Sequence, residues 1–199
     1  MIHIIISSYN EPKSTLEAIK RIKEQEFSDE YKIILSDPFP EIKRMMKEKH
    51  PDVKVILDLG EGKSAALNRI MKKIYSENTN DLIILTDGDV FLEPGAVKAM
   101  VDQFKDEKVG IVCGHPISMN KKTNKFGYWS HLLFAEMNRT RRIANRRKQF
   151  FELSGYLFGI RNGVVKQFPK GASEDNVIPT LFYNKGYRIG YAEGARVLV

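Results

Sequence analysis

Short apolar, β-rich runs alternate along the chain with longer stretches in which apolar residues recur every three or four positions. That alternation predicts an α/β fold, a mostly parallel central sheet flanked by helices. Strands are expected over 3–7, 31–36, 53–57, 81–86 and 109–113. Between the first two, Leu16, Ile19 and Ile22 share one helical face, and Ser14-x-x-Glu17 reads as a capping box near that helix's start. Residues 40–49 and 64–76 fill the next two helical slots, the second with Leu67, Ile70, Met71 and Ile74 at core spacing. A fourth helix is expected over 94–104, opened by Pro94. After Pro116 aromatics and arginines become frequent and the clean alternation stops. A last unit then follows, with a helix over 176–184, a stop at Lys185-Gly186 and a strand over 187–191. The expectation is one domain, 1–199, whose two halves, 1–116 and 117–199, are built on one sheet.

Composition changes this picture little. A chain of 199 residues, 42% apolar and 29% charged, belongs with single globular domains and not with disordered or fibrous chains. Its formal charge of +7 favours acidic partners, whether nucleotides, phosphorylated lipids, a membrane surface or nucleic acid. The lone cysteine, Cys113, rules out an internal disulfide and a Cys-based zinc site, and its place after an apolar run suits a buried structural thiol in a reducing compartment. The start, Met1-Ile2-His3-Ile4-Ile5-Ile6, has neither a basic leader nor an export stretch, and no segment approaches the roughly 20 apolar residues of a membrane span. A cytoplasmic location is therefore expected, with association to a membrane left open. The apolar ending Arg196-Val197-Leu198-Val199 reads as a C-terminal truncation, so a following anchor is open too.

The most informative stretch is Leu82-Ile83-Ile84-Leu85-Thr86-Asp87-Gly88-Asp89, an apolar run ending in two carboxylates separated by glycine. Ligands of open α/β sheets sit beyond the carboxyl ends of the strands, where this pair would emerge. Hard divalent cations prefer oxygen ligands and bridge to diphosphate, and glycine lets a backbone come close. Taken alone, Asp-Gly-Asp is more often a turn. Its position after a buried strand and the motifs around it favour chemistry.

Ile6-Ser7-Ser8-Tyr9-Asn10-Glu11, Gly62-Lys63-x-x-Ala66-Leu67-Asn68, Asp87-Gly88-Asp89 and Ser173-Glu174-Asp175 occur in the order and spacing of glycosyltransferase family 2, which the chain resembles from about Ile4 to Gly194. The resemblance implies the GT-A fold and an inverting transfer from a UDP- or GDP-sugar, with Mn2+ or Mg2+ as cofactor. It further implies that Ser8, Tyr9, Asn10 and Glu11 line the nucleotide pocket, that Asp37 accepts a hydrogen bond from the base, and that Lys63 faces the donor. Asp87 and Gly88 would face the ribose or sugar, Asp89 with Asp87 the metal, and Asp175 would be the catalytic base with Glu174 beside it. The family's paired aspartates followed by serine are replaced here by Ser36-Asp37-Pro38-Phe39-Pro40, and the Gln-x-x-Arg-Trp motif of processive members is absent, which suggests single additions.

The residue types give a mechanism of their own. A nucleoside diphosphate is already a good leaving group, so the protein must neutralise it and make the acceptor more nucleophilic. Ser154, Gly155 and Tyr156, within the glycine and aromatic segment 153–159, would lie between donor and base; strand packing explains them nearly as well. Arg139, Arg142 and Arg146 would share one helical face in the densest basic cluster, and Arg142 and Arg146 are candidates for an anionic acceptor, a glycan or a polyprenyl-phosphate or other lipid-linked one, or for peripheral contact with an anionic membrane. His115 and His131 could add a metal ligand, although packing accounts for either.

Two rival readings compete with this one. Gly60-Glu61-Gly62-Lys63-Ser64 resembles a P-loop, but the required first glycine falls at Leu57. A nucleic-acid-binding module would use the positive charge, yet no recognition motif supports it and the basic cluster lacks interleaved stacking aromatics, so no nucleic-acid partner is expected.

Overall fold

A computed structural model describes residues 1–169 and 173–199. In chain order its elements are β1 (Ile2–Ser7), α1 (Pro12–Lys23), β2 (Tyr31–Asp37), α2 (Pro40–Lys49), β3 (Lys54–Leu57), α3 (Lys63–Ile74) and β4 (Leu82–Asp87). There follow β5 (Phe91–Leu92), α4 (Ala96–Gln103), β6 (Val109–Ile117), α5 (Lys125–Arg146), β7 (Leu157–Arg161), α6 (Glu174–Asn184) and β8 (Arg188–Leu198).

The period-2 geometry of the central strands sorts the core into two layers, one on each face of the sheet. Ile4 and Ile6 of β1 and Leu82 and Ile84 of β4 pack with Ile19 and Ile22 of α1, Met46 of α2 and Met100 of α4. Ile5, Ile83 and Leu85 point the other way, to Leu67 and Ile70 of α3, Ala144 of α5 and Phe182 of α6. Each fully buried isoleucine of this kind stabilises the fold by roughly 1.5–3 kcal/mol.

The eight strands run in the order β3-β2-β1-β4-β7-β6-β8-β5. Strands β3, β2, β1 and β4 are parallel to one another, as the alternating pattern predicts. The sheet is nevertheless mixed, because β7 runs antiparallel to both β4 and β6 and β5 antiparallel to β8. That qualifies the expected mostly parallel sheet.

Three local expectations also change. Helix α1 starts at Pro12, whose ring presets the first helical φ, with Glu11 as N-cap and no side-chain cap. Ser14 lies inside the helix and its hydroxyl donates to the Glu11 carbonyl at 3.3 Å, so the capping box does not form. The final strand reaches Leu198 and not 191, pairing parallel with β6 across two register shifts. Between β6 and β7 stands a helix of 22 residues, of which the sequence marks only the arginine face near its end.

Candidate active site

Four carboxyl ends of parallel strands come out side by side. Ser7 is in register with Ser36 on one side and Asp87 on the other, and Asp37 with Leu57. The loops that follow therefore share one edge, the usual ligand position of an open α/β sheet. The antiparallel β7 supplies the other wall, because its amino end reaches the same edge. Leu157 is opposite Thr86, and the Thr86 hydroxyl donates to the Tyr156 carbonyl at 2.9 Å, which holds Ser154, Gly155 and Tyr156 beside the end of β4.

A cleft of about 280 Å³ opens at this edge, lined among others by Ser8, Tyr9, Glu11, Asp58, Lys63 and Asp87. The Tyr9 ring meets Phe39 edge-on at 5.2 Å. Asn10 has a left-handed φ of 57°, a conformation asparagine tolerates better than most residues. Its amide donates to Asp37 Oδ2 at 3.1 Å, while the Phe39 amide donates to Asp37 Oδ1 at 2.8 Å. Asp37 is fully buried, so it ties the first two loops together from beneath. Asp58, which motif reading passed over, is only half-buried and lines the cleft, held by the Ser36 hydroxyl at 2.8 Å and the Gly60 amide at 2.8 Å. Its signal in the sequence was its place just after a strand. Gly88 donates its amide to the Ser7 carbonyl at 2.8 Å, and a Cβ there would meet Thr15 Oγ1 at 2.7 Å and Ser8 Cβ at 3.0 Å, so the turn is close-packed on the first loop.

Lys63 stands where these loops meet α6. Its ammonium is 2.7 Å from Asp87 Oδ1 and 3.0 Å from Glu174 Oε1. Burial alone would lower the Lys63 pKa, but the two carboxylates outweigh it and hold the ammonium above its ordinary value. Burial pushes the Asp87 carboxyl up, more than the ammonium draws it down, and Asp89 and Glu174 add to the rise. Gly62, with φ of +96°, turns the chain into α3 so that the positive end of the helix dipole also opens here.

Two carboxylates thus flank one ammonium and Asp89 adds a further negative charge near Asp87, a field hostile to a diphosphate unless a cation joins it. Asp89 is exposed and, among the described residues, makes no hydrogen bond or ion pair. No three His, Cys, Asp or Glu side chains among the described residues form a cage of their own. Two aspartates with room for phosphate oxygens and water are the donor set a hard cation such as Mg2+ or Mn2+ takes in phosphate-binding sites, so the residues fit such an ion. His115 and His131 do not join this set: His115 is hydrogen-bonded to the Tyr191 hydroxyl at 2.7 Å and His131 to the Asn120 carbonyl at 2.8 Å.

A larger neighbouring cleft of about 910 Å³ runs along α3 and is closed at one end by Ser173 and Glu174. Asp175 begins the same helix and accepts a hydrogen bond from the Ser173 hydroxyl. Gly155 faces it so closely that a Cβ would lie 2.9 Å from Asp175 Oδ2. Two residues that motif reading did not single out as supports fix this wall. Asn68 exchanges two hydrogen bonds with the Phe168 backbone, at 3.0 and 2.6 Å, and so ties that residue to α3. The buried Arg141 donates to the Glu152 and Leu153 carbonyls at 3.2 and 2.9 Å. Next to it, Cys113 is buried as expected, accepts from the Ser154 amide at 3.3 Å, and has its thiol pKa raised by burial.

The arginine run does not present one free basic face. Arg141 is interior, Arg142 pairs with Glu193 of β8, and Arg139 pairs with Glu136 at 3.1 Å. Arg146 is exposed at the end of α5. Neither Arg142 nor Arg146 lines the two clefts. No helix among the described residues is long and apolar enough to cross a membrane.

The sequence profile of glycosyl transferase family 2 matches residues 3–168, most of the chain and every loop of the smaller cleft. No curated protein matches it significantly.

Proposed function

The chain belongs to glycosyl transferase family 2, with the GT-A fold, and from that premise we propose that it is a metal-dependent inverting enzyme using a UDP- or GDP-sugar. The acceptor would be a hydroxyl of a glycan or the phosphate of a polyprenyl-phosphate or other lipid-linked carrier. The observation that carries this reading is the junction at Lys63, where the Asp87-Gly88-Asp89 turn and the Ser173-Glu174-Asp175 segment meet in one place. A P-loop enzyme would need that lysine to reach into a phosphate-cradling loop, and here two carboxylates engage it.

In this reading the nucleobase enters beside Tyr9 and Pro38, with Phe39 bracing the Tyr9 ring from behind, Asp58 as the carboxylate that faces the base's N–H edge and Asp37 holding the pocket from below. Asp87 and Asp89 would hold Mn2+ or Mg2+, which when bound supplies Lewis-acid neutralisation of the diphosphate. Lys63 and the amino end of α3 add fixed positive charge on the same side. Asp175 takes the proton from the acceptor hydroxyl as that oxygen attacks the anomeric carbon, and the nucleoside diphosphate leaves from the opposite face. Gly155 leaves room for the carboxylate to stand at the acceptor, and the exposed Tyr156 ring offers an apolar face to a sugar.

Calorimetric titration with UDP and GDP, with and without Mn2+, tests the reading. Metal-dependent binding of one nucleotide is the expected result. Equal affinity for ATP, or binding of neither nucleotide, would refute it.

A further inference from the structure

The amino-terminal part of α5 carries an apolar stripe that nothing among the described residues covers. Phe126, Trp129 and Leu133 recur at helical spacing with Leu132 alongside, each 52 to 74% exposed. Met137 continues the line one turn later, and Met119 and Tyr128 flank it. Burial of α5 falls elsewhere, on Gly127, Asn138, Arg141 and Ala144. Monomeric proteins rarely leave a contiguous patch of large apolar side chains in water unless it meets a partner or a bilayer.

The stripe is held out rigidly. Asn124 caps the helix by accepting from the Gly127 amide at 3.0 Å, and Gly127 lies so close to the loop before it that a Cβ would overlap the Lys121 carbonyl. Ser130 is hydrogen-bonded to Ser118 at 2.9 Å and to Asn120 at 3.2 Å. These ties fix the exposed face in space without shielding it.

Charge identifies the occupant. Of the nine lysines and arginines from Ser118 to Lys148, Arg141 is buried, Arg139 pairs with Glu136 and Arg142 with Glu193, which leaves six exposed cations and no further acid in this stretch. Lys121, Lys122 and Lys125 are exposed at the stripe's amino end, and Arg146, Arg147 and Lys148 at the far end of the helix. Aromatic and leucine side chains framed by lysine are the composition of a helix lying in the plane of an anionic bilayer, with rings at headgroup depth and ammonium groups on lipid phosphates. A protein partner of ordinary surface composition would not call for so one-sided a charge.

We propose that α5 docks this stripe flat on an anionic lipid surface. The acceptor wall is connected to the same helix: Phe134 meets the Tyr156 ring edge-on at 5.8 Å, and Gly155 beside it faces Asp175. Docking would therefore bring a lipid-borne acceptor to the base. That consequence rests on the transferase reading; the docking itself does not.

Trp129 is the only tryptophan, so the surface reports on itself. Trp129 emission and vesicle flotation should be followed with phosphatidylglycerol–phosphatidylcholine vesicles and with phosphatidylcholine alone. Expected are a blue shift, shielding from acrylamide and flotation with the anionic vesicles only, weakening as salt rises. Lys121→Glu with Lys122→Glu and Lys125→Glu should abolish flotation. Phe126→Ser with Leu133→Ser, on exposed positions that leave the melting temperature unchanged, should lower partitioning at least about tenfold. Absence of flotation at low salt, equal binding to neutral vesicles, or a dimer in ultracentrifugation that shields Trp129 without lipid would each overturn the proposal. Nucleotide titration of the same samples separates the two readings, since lipid docking without UDP or GDP binding would sink only the transferase.

Discussion

The ammonium of Lys63 lies 3.0 Å from Glu174 Oε1, an ion pair that ties the start of α3 to the start of α6. Glu174 is nearly buried, so the pair is not a surface ornament, and the same ammonium reaches Asp87 at 2.7 Å. Lys63→Met would leave two carboxylates facing each other without a counter-charge. The expected outcome is a loss of up to about 3 kcal/mol in urea unfolding together with weaker nucleotide binding. Adding Glu174→Gln should restore most of the stability and little of the binding. Full recovery of both by the double variant would show that Lys63 has no part in binding beyond holding the fold.

Asp89 stands apart from that network. Exposed and without hydrogen bond or ion pair among the described residues, it can be changed to asparagine at little cost to the fold, within about 0.5 kcal/mol. If it is a ligand of the donor-bound cation, Asp89→Asn should remove the Mn2+-dependent part of UDP or GDP affinity. Calorimetry checks this directly, and an unchanged metal dependence would exclude the assignment.

Histidines set the stability profile near neutrality. Burial lowers the pKa of His3, His50 and His115 from the ordinary value of 6.5. Below about pH 6.5 the unfolded chain takes up protons that the folded chain refuses, so stability is full above that value and falls as the pH drops. The lowered carboxyls of Glu17, Asp52, Asp102 and Asp106 act in a more acidic range, and Asp87, raised by burial, works in the opposite direction. Urea unfolding between pH 7.5 and 5.5 should show the decline, and His3→Gln should flatten part of it. An identical slope in that variant would remove His3 from the account.

The parallel half of the fold was legible because its strands alternate with helices whose inner faces repeat at 3.6 residues, and its motifs stood where those strands end. Strand β5, of two residues, is too short for any period to register. The first turns of helix α5, ahead of its arginine face, are not legible because their solvent side is as apolar as the packed side, so Phe126, Trp129 and Leu133 blur the amphipathic pattern that Leu67, Ile70 and Met71 show plainly in α3. The arginine run was misleading for a related reason. Helical spacing alone could not tell that Arg141 turns inward to the 152 and 153 carbonyls while Arg142 meets Glu193. Asp58 was hidden because a carboxylate after a short strand is common, and only the sheet order brings it beside Asp37.

Asp175 and Gly155 provide the most direct test of the chemistry. The base assignment rests on a carboxylate at the start of α6, oriented by the Ser173 hydroxyl and facing a glycine whose missing Cβ leaves it space. Removing a positioned base typically costs about a hundred- to ten-thousandfold in rate, while the donor would, on the proposed reading, bind in the neighbouring cleft. Asp175→Asn is therefore expected to keep nucleotide affinity and lose turnover to that extent. Gly155→Ala would place a methyl 2.9 Å from Asp175 Oδ2 and displace the carboxylate without removing it, so a smaller fall in kcat with donor KM unchanged is expected. Because a single displacement inverts the reacting carbon, the product should carry the anomeric configuration opposite to the donor's, readable by proton NMR. Near-normal turnover in Asp175→Asn, or a product of retained configuration, would overturn the base and the direct displacement built on it.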